Sequence, residues 1–171
     1  RAVYTAAEQG VDDDRGLLDA GQEEADVAFV GGVDPLRVGA LEPLFIPVAS
    51  SLAHLQPNPA AVQRFFPDPR RAPEVSIDTT WFPASKAAGT LRIFVQGESS
   101  AAGFPYGRWA SPAALLQQRL QRAYPDRNVE VINTGMAAVT SYVLLEFAEE
   151  IIAQQPDAVV VYTGHNEYLG I

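Results

Sequence analysis

An α/β fold built on a parallel sheet is predicted for this chain by three features of its second half. Three short apolar runs, Leu91 to Gln96, Val129 to Ile132 and Ala158 to Tyr162, have the length and composition of buried strands. Two stretches with helical spacing separate them, and each run opens into a loop containing glycine. A β-α-β-α-β order requires right-handed crossovers, so all three strands should end on one side of the sheet.

Each element has its own local reason. The run from Leu91 is rich in aliphatic and aromatic residues and stops at Gly97. Ser111 followed by Pro112 supplies an N-cap and a first-turn proline. Ala113, Leu116, Leu120 and Ala123 then fall on one face, and Tyr124-Pro125-Asp126 ends the helix. After the second strand, Thr140 or Ser141 caps a second helix. Its Leu144, Leu145, Ala148, Ile151 and Ile152 form a broad apolar stripe, with Glu146, Glu149 and Glu150 turned to water. Asp157 precedes the third strand. A sheet of three such strands leaves one strand without an outer neighbour and so exposes an apolar edge.

The first half differs in kind. Residues 1–34 form an acidic arm, with Asp12-Asp13-Asp14 and Glu23-Glu24, that reads as solvated and poorly ordered. Residues 35–90 hold prolines every few positions, which remove amide donors and argue against regular ladders. Leu44, Phe45, Ile46, Phe65, Phe66, Trp81 and Phe82 are too apolar for a free linker, so this segment is expected to lie extended against the domain of residues 91–171.

The chain of 171 residues, 47% hydrophobic and 19% charged, can build one core. It lacks cysteine, which removes disulfides, thiolate metal sites and thiol catalysis. Its net charge of −9 and the lack of a basic stripe argue against a nucleic-acid partner. No run approaches the roughly 20 apolar residues of a bilayer span, and an opening at Arg1 without Met reads as a fragment.

Ligands of open α/β sheets bind at the carboxyl edge of the strands. The loops expected there are Gly97-Glu98-Ser99-Ser100-Ala101-Ala102-Gly103, Asn133-Thr134-Gly135-Met136 and Gly164-His165-Asn166-Glu167. Spacing rules out several rivals. Ser99 stands where a Rossmann loop needs its second glycine, and Ala102 stands where a P-loop needs glycine. Ala101 occupies the second glycine position of an α/β-hydrolase elbow. What remains is a serine at a strand-to-helix turn.

GESSAAG resembles the first sequence block of the SGNH/GDSL hydrolases, Gly135 the second, and GHNE the third, usually Gly-x-Asn-Asp. The wider words RIFVQGESSAAGFPYG and VVVYTGHNEYLG are similar to a bacterial branch with Glu where GDSL proteins have Asp, and the likeness runs from about Gln56 to Ile171. The resemblance implies a three-layer α/β/α flavodoxin-like sheet, incomplete in these residues. It implies Ser99 as nucleophile, and an oxyanion hole made by the amides of Ser99 and Gly135 and the side chain of Asn166. Gly97, Glu98, Gly164 and Glu167 support the motifs, with both acids one methylene longer than the family's. It further implies an acyl-serine mechanism on a carbohydrate, lipid or small ester, without metal or organic cofactor. Members of this branch resemble proteins held at the extracytoplasmic face of a bacterial membrane by an N-terminal helix and extended by C-terminal helical repeats.

The family's fourth block, Asp-x-x-His, does not occur in these residues, so the triad's histidine and aspartate are expected beyond Ile171. His165 is a poor substitute, since neighbours in an extended segment point opposite ways and Asn166 must face the oxyanion. His54 reads as a packing or surface residue. Alternatives stand beside each assignment: Ser99 as a helix cap, with Ser100 the better one; Gly135 as a turn glycine; Asn166 as a loop stabiliser; Glu98 and Glu167 as structural acceptors. Two other functions compete with the esterase. One is a Mg²⁺-dependent phosphoesterase using Glu98, Glu167 and Asn166 as oxygen ligands. The other is a non-catalytic binding or scaffold domain on the same fold.

Overall fold

A computed structural model of the chain describes residues 42–66, 68, 70, 72 and 81–169. The chain divides into two units, 1–40 and 41–171, and every described residue belongs to the second. The acidic arm of residues 1–34 lies outside the described residues.

The α/β class is observed, with a three-stranded parallel sheet: β4 (Leu91–Gly97) lies between β5 (Val129–Asn133) and β6 (Ala158–Tyr162). Registers run Leu91 against Val129 and Ile93 against Ala158, so all three carboxyl ends reach the same edge. The helices between them are α2 (Pro112–Ala123), and α3 (Ser141–Glu146) with α4 (Ala148–Ala153). Two short helices sit at the carboxyl edge, α1 (Ser99–Ala102) and α5 (His165–Leu169).

Strand alternation sorts the side chains into two cores. Ile93, Val95, Val129 and Val131 face α2, where Ala113, Leu116 and Leu120 cover them. Ser111 caps α2 by accepting from the Ala114 amide (3.2 Å). Ala123, expected on the buried face, is exposed at the helix's last residue. The opposite face carries Phe94 and Ile132 into a larger core with Met136, Leu144, Phe147 and Ile151.

That second core also contains the proline-rich segment, and here an expectation fails. β1 (Phe45–Val48), β2 (Ser51–Pro57) and β3 (Phe82–Pro83) form an antiparallel sheet in spite of their prolines. Pro47 and Pro83 lie on the two edge strands and Pro57 is the last residue of β2, which are positions where a missing amide costs little. Phe45, Phe82 and Phe94 meet edge to face, with ring centroids 5.3 to 5.8 Å apart.

The second helix is also corrected. It breaks at Phe147, which is fully buried. The inward positions are Leu144, Phe147 and Ile151, while Leu145 and Ile152 are 61% and 66% exposed. Glu150 is only partly exposed: it accepts from the Leu44 amide (2.6 Å) and from Arg64 (2.9 Å), whose guanidinium lies 4.0 Å from the Phe147 ring centroid. An exposed apolar edge is found at β6, where all five residues, Ala158 to Tyr162, are exposed.

At the amino edge of the sheet, fully buried Arg92 ties four segments together. Its guanidinium donates to Glu130 (2.7 Å), the Gln154 carbonyl (3.0 Å) and the Pro83 carbonyl (2.8 Å), and its amide donates to Asp157 (2.7 Å). Burial opposes ionisation of Asp157, but hydrogen bonds from Lys86 and the Arg92 amide, with the charges of Lys86 and Arg127, hold its carboxyl below the ordinary range.

Candidate functional site

The three loops singled out in the sequence meet at the carboxyl edge of the parallel sheet. Gly97 ends β4, and the Met136 amide donates to its carbonyl (2.9 Å), which fastens the second loop to the first. Two glycines permit close packing here, Gly97 against the end of β6 and Gly135 against α1. A Cβ on Gly97 would lie 2.0 Å from the Tyr162 carbonyl oxygen, and one on Gly135 would lie 2.4 Å from the Ala102 nitrogen.

Glu98 fastens the third loop. Its Oε1 accepts from the Thr163 hydroxyl (2.5 Å) and the Gly164 amide (2.8 Å), and its Oε2 accepts from the Asn166 amide (3.0 Å). Burial works against ionisation, but these donors, with the His165 amide, outweigh it and hold the carboxyl below its ordinary value of 4.5. Glu98 is therefore an ionised structural acceptor. Glu167 has a similar part, accepting from the Ser141 amide at the start of α3. These bonds engage the acids on which a Mg²⁺ site would depend. Among the described residues, no group of three or more His, Asp and Glu is placed to hold a metal ion.

Ser99 is the first residue of α1 and is half-buried. Ser100 is not the cap: the N-cap position belongs to Glu98, with no side-chain capping bond, and Ser100 is already the second helical residue. The Gly135 amide donates to Asn133 Oδ1 (2.9 Å), and Asn133 Nδ2 donates to the Ala101 carbonyl (3.0 Å). Asn166 is buried, and its Nδ2 donates to the Val139 carbonyl (2.7 Å). Gly135 and Asn166 are thus at the expected edge, with one donor of each engaged inside the protein.

His165 opens helix α5, so the extended geometry assumed for residues 165 and 166 is not what forms; His165 is exposed while Asn166 is buried. His54, in β2, is half-buried and its Nδ1 lies 2.9 Å from the Ser51 hydroxyl.

Sequence reasoning passed over Asn133 and Gln96. Gln96 donates from Nε2 to the Leu144 carbonyl (2.7 Å) and so fixes α3 against β4. The available signal was an amide side chain at the end of an apolar strand, since a buried polar group must find a partner.

Comparisons with protein-family models, with curated proteins and with solved structures found nothing that matches this chain.

Proposed function

We propose that this chain carries the nucleophile-bearing part of an SGNH-type serine esterase on a three-layer α/β/α flavodoxin-like sheet. The observation that carries the reading is the meeting of three strand ends, with Ser99, Gly135 and Asn166 on loops joined through Glu98 and the Gly97 carbonyl. Neutral donors so placed stabilise charge on an oxyanion, each contributing on the order of 3 kcal/mol.

In this reading Ser99 Oγ attacks the acyl carbonyl of a carbohydrate, lipid or small ester, and an acyl-serine forms as the alcohol leaves. The Ser99 amide, at the first position of α1, has no intrahelical acceptor and is one oxyanion donor. Asn166 Nδ2 carries two protons and gives one to Val139, which leaves the second for the substrate. The Gly135 amide exchanges Asn133 Oδ1 for the substrate oxygen as the ester binds. The general base is a histidine of the fourth block, which these 171 residues do not contain.

The test is made in a longer polypeptide that carries an Asp-x-x-His block, with an activated short-chain ester as substrate. Ser99→Ala should abolish turnover and acyl-enzyme formation. Asn166→Ala should lower kcat by roughly 10²-fold with little change in KM. A Ser99→Ala protein that stays active and loses turnover with EDTA overturns the proposal.

A further inference from the structure

Exposed aromatic side chains are gathered at one end of the parallel sheet. Of the eight among the described residues, six lie at the carboxyl edge: Phe104, Tyr106 and Trp109 in the connection from α1 to α2, Tyr142 at the start of α3, Tyr162 at the end of β6, and Tyr168 in α5. Tyr162 is 55% exposed and the other five 74–91%, so these rings contribute surface and not core. Apolar surface gathered in this way marks a site of contact.

Hydrogen bonds within and between the connections hold the rings on one rim. The Phe104 amide donates to the Ser99 carbonyl (2.9 Å), and the Tyr106 and Gly107 amides donate to the Gly103 carbonyl (both 2.8 Å). Glu167 accepts from the Ser141 amide, which joins α5 to α3 beside Tyr168 and Tyr142. The Glu98 amide donates to the Tyr162 carbonyl (3.3 Å). Every residue from Phe104 to Ala110 is exposed, so the backbone is bonded while the side chains stand in water.

We propose that this edge docks on a zwitterionic lipid surface. Phe, Tyr and Trp are the side chains that settle where hydrocarbon meets water. Charge selects the headgroup. Arg108 is the one charged residue between Glu98 and Arg119. Its guanidinium lies 4.5 Å from the Trp109 ring centroid and meets no carboxylate among the described residues. Residues 131–145 and 158–164 hold no charged side chain, and the edge's two acids, Glu98 and Glu167, already accept backbone amides. A free guanidinium takes a lipid phosphate, and electron-rich ring faces attract a trimethylammonium group. A phosphocholine headgroup supplies both. Anionic lipid is opposed by the net charge of −9. A protein partner, the rival occupant, finds few backbone groups to pair with, since the amides of Phe104, Tyr106, Gly107 and Ala110 are bonded inside the loop. The inference does not depend on the esterase reading, because docking needs no reaction at Ser99.

The 171-residue chain is mixed with phosphatidylcholine vesicles and separated by flotation. Half of it should float at less than about 1 mM lipid. In Trp81→Phe, where Trp109 is the remaining indole, emission should shift to the blue on binding. The double variant Phe104→Ala/Tyr106→Ala, and separately Arg108→Glu, should each weaken binding roughly tenfold. Their circular dichroism should match the parent's, because these side chains are exposed. Tyr124→Ala, at the amino edge, and Val160→Lys, on the open edge of β6, should bind as the parent does. So should Ser99→Ala, which separates this test from that of the esterase. Absence of flotation overturns the proposal, as does tighter binding to phosphatidylglycerol vesicles. It is also overturned if Tyr124→Ala or Val160→Lys abolishes binding, or if the Phe104/Tyr106 and Arg108 variants leave it unchanged. Release by about 10 mM free phosphocholine would likewise overturn it, by showing a headgroup pocket in place of a docking surface.

Discussion

Replacing Glu98 by Gln tests whether one carboxylate holds the third loop in place. The ionised side chain accepts three hydrogen bonds, at 2.5, 2.8 and 3.0 Å, from Thr163, Gly164 and Asn166. Bonds to a charged group contribute about 1.5–3 kcal/mol each, against about 0.5–1.5 for neutral ones. A Gln retains one oxygen and sets an NH₂ against an amide donor. The variant therefore loses one charged bond and weakens two others, while shedding the burial cost of the charge, for a net loss of about 2–3 kcal/mol. The effect depends on pH in a defined direction. Because the folded carboxyl titrates below its ordinary value of 4.5, its stabilisation is complete above that value and disappears as pH falls through the folded pKa. Urea unfolding of parent and variant at neutral pH and at steps below pH 4.5 should show a gap that narrows with acidity. Asp157 titrates low in both proteins and cancels in the difference. Equal stability at neutral pH, or a gap that stays constant into acid, refutes the reasoning.

Arg92→Met should destabilise the fold by about 3–5 kcal/mol, because it leaves the Glu130 carboxylate largely buried without its partner; urea midpoints measure this. Arg92→Met with Glu130→Leu should recover much of that loss. Val160→Lys places a charge at the middle of the exposed β6 strand and should reduce self-association, read by sedimentation, while changing stability by about 0.5 kcal/mol or less.

The parallel sheet was legible because its strands are continuous apolar runs and one of its helices has a proper cap. Leu91 to Gln96 and Ala158 to Tyr162 could hardly be anything else once Ser111 and Pro112 placed the helix after the first strand. The helix after β5 was harder. A stripe holding Leu144, Leu145, Ile151 and Ile152 is wide enough to fit two rotations, and only packing against Phe94 and Ile132 shows which is buried. Pattern alone also gave Glu150 to water, since its partners, Leu44 and Arg64, are 106 and 86 residues distant. At the candidate site the loops marked in the sequence meet at one edge of the sheet, and Glu98 and Glu167, weighed there as structural acceptors, accept backbone amides. What the sequence could not supply was the direction of each donor: the Gly135 amide turns to Asn133, a neighbour two residues away, and that depends on a local turn that no spacing rule describes.

The larger core draws on residues far apart in the chain, from Leu44 to Ile151. During synthesis this imposes an order. Phe45, Phe82, Phe94 and Ile132 are made before Phe147 and Ile151, which close over the same core, and the Leu44 amide has no access to Glu150 until that residue has left the ribosome. At about 5–20 residues per second, the interval from Phe45 to Glu150 is on the order of 5–20 seconds. Through that interval the aromatic side chains lack their final cover, and a nascent chain of this sequence carries an adhesive surface until translation has passed α4.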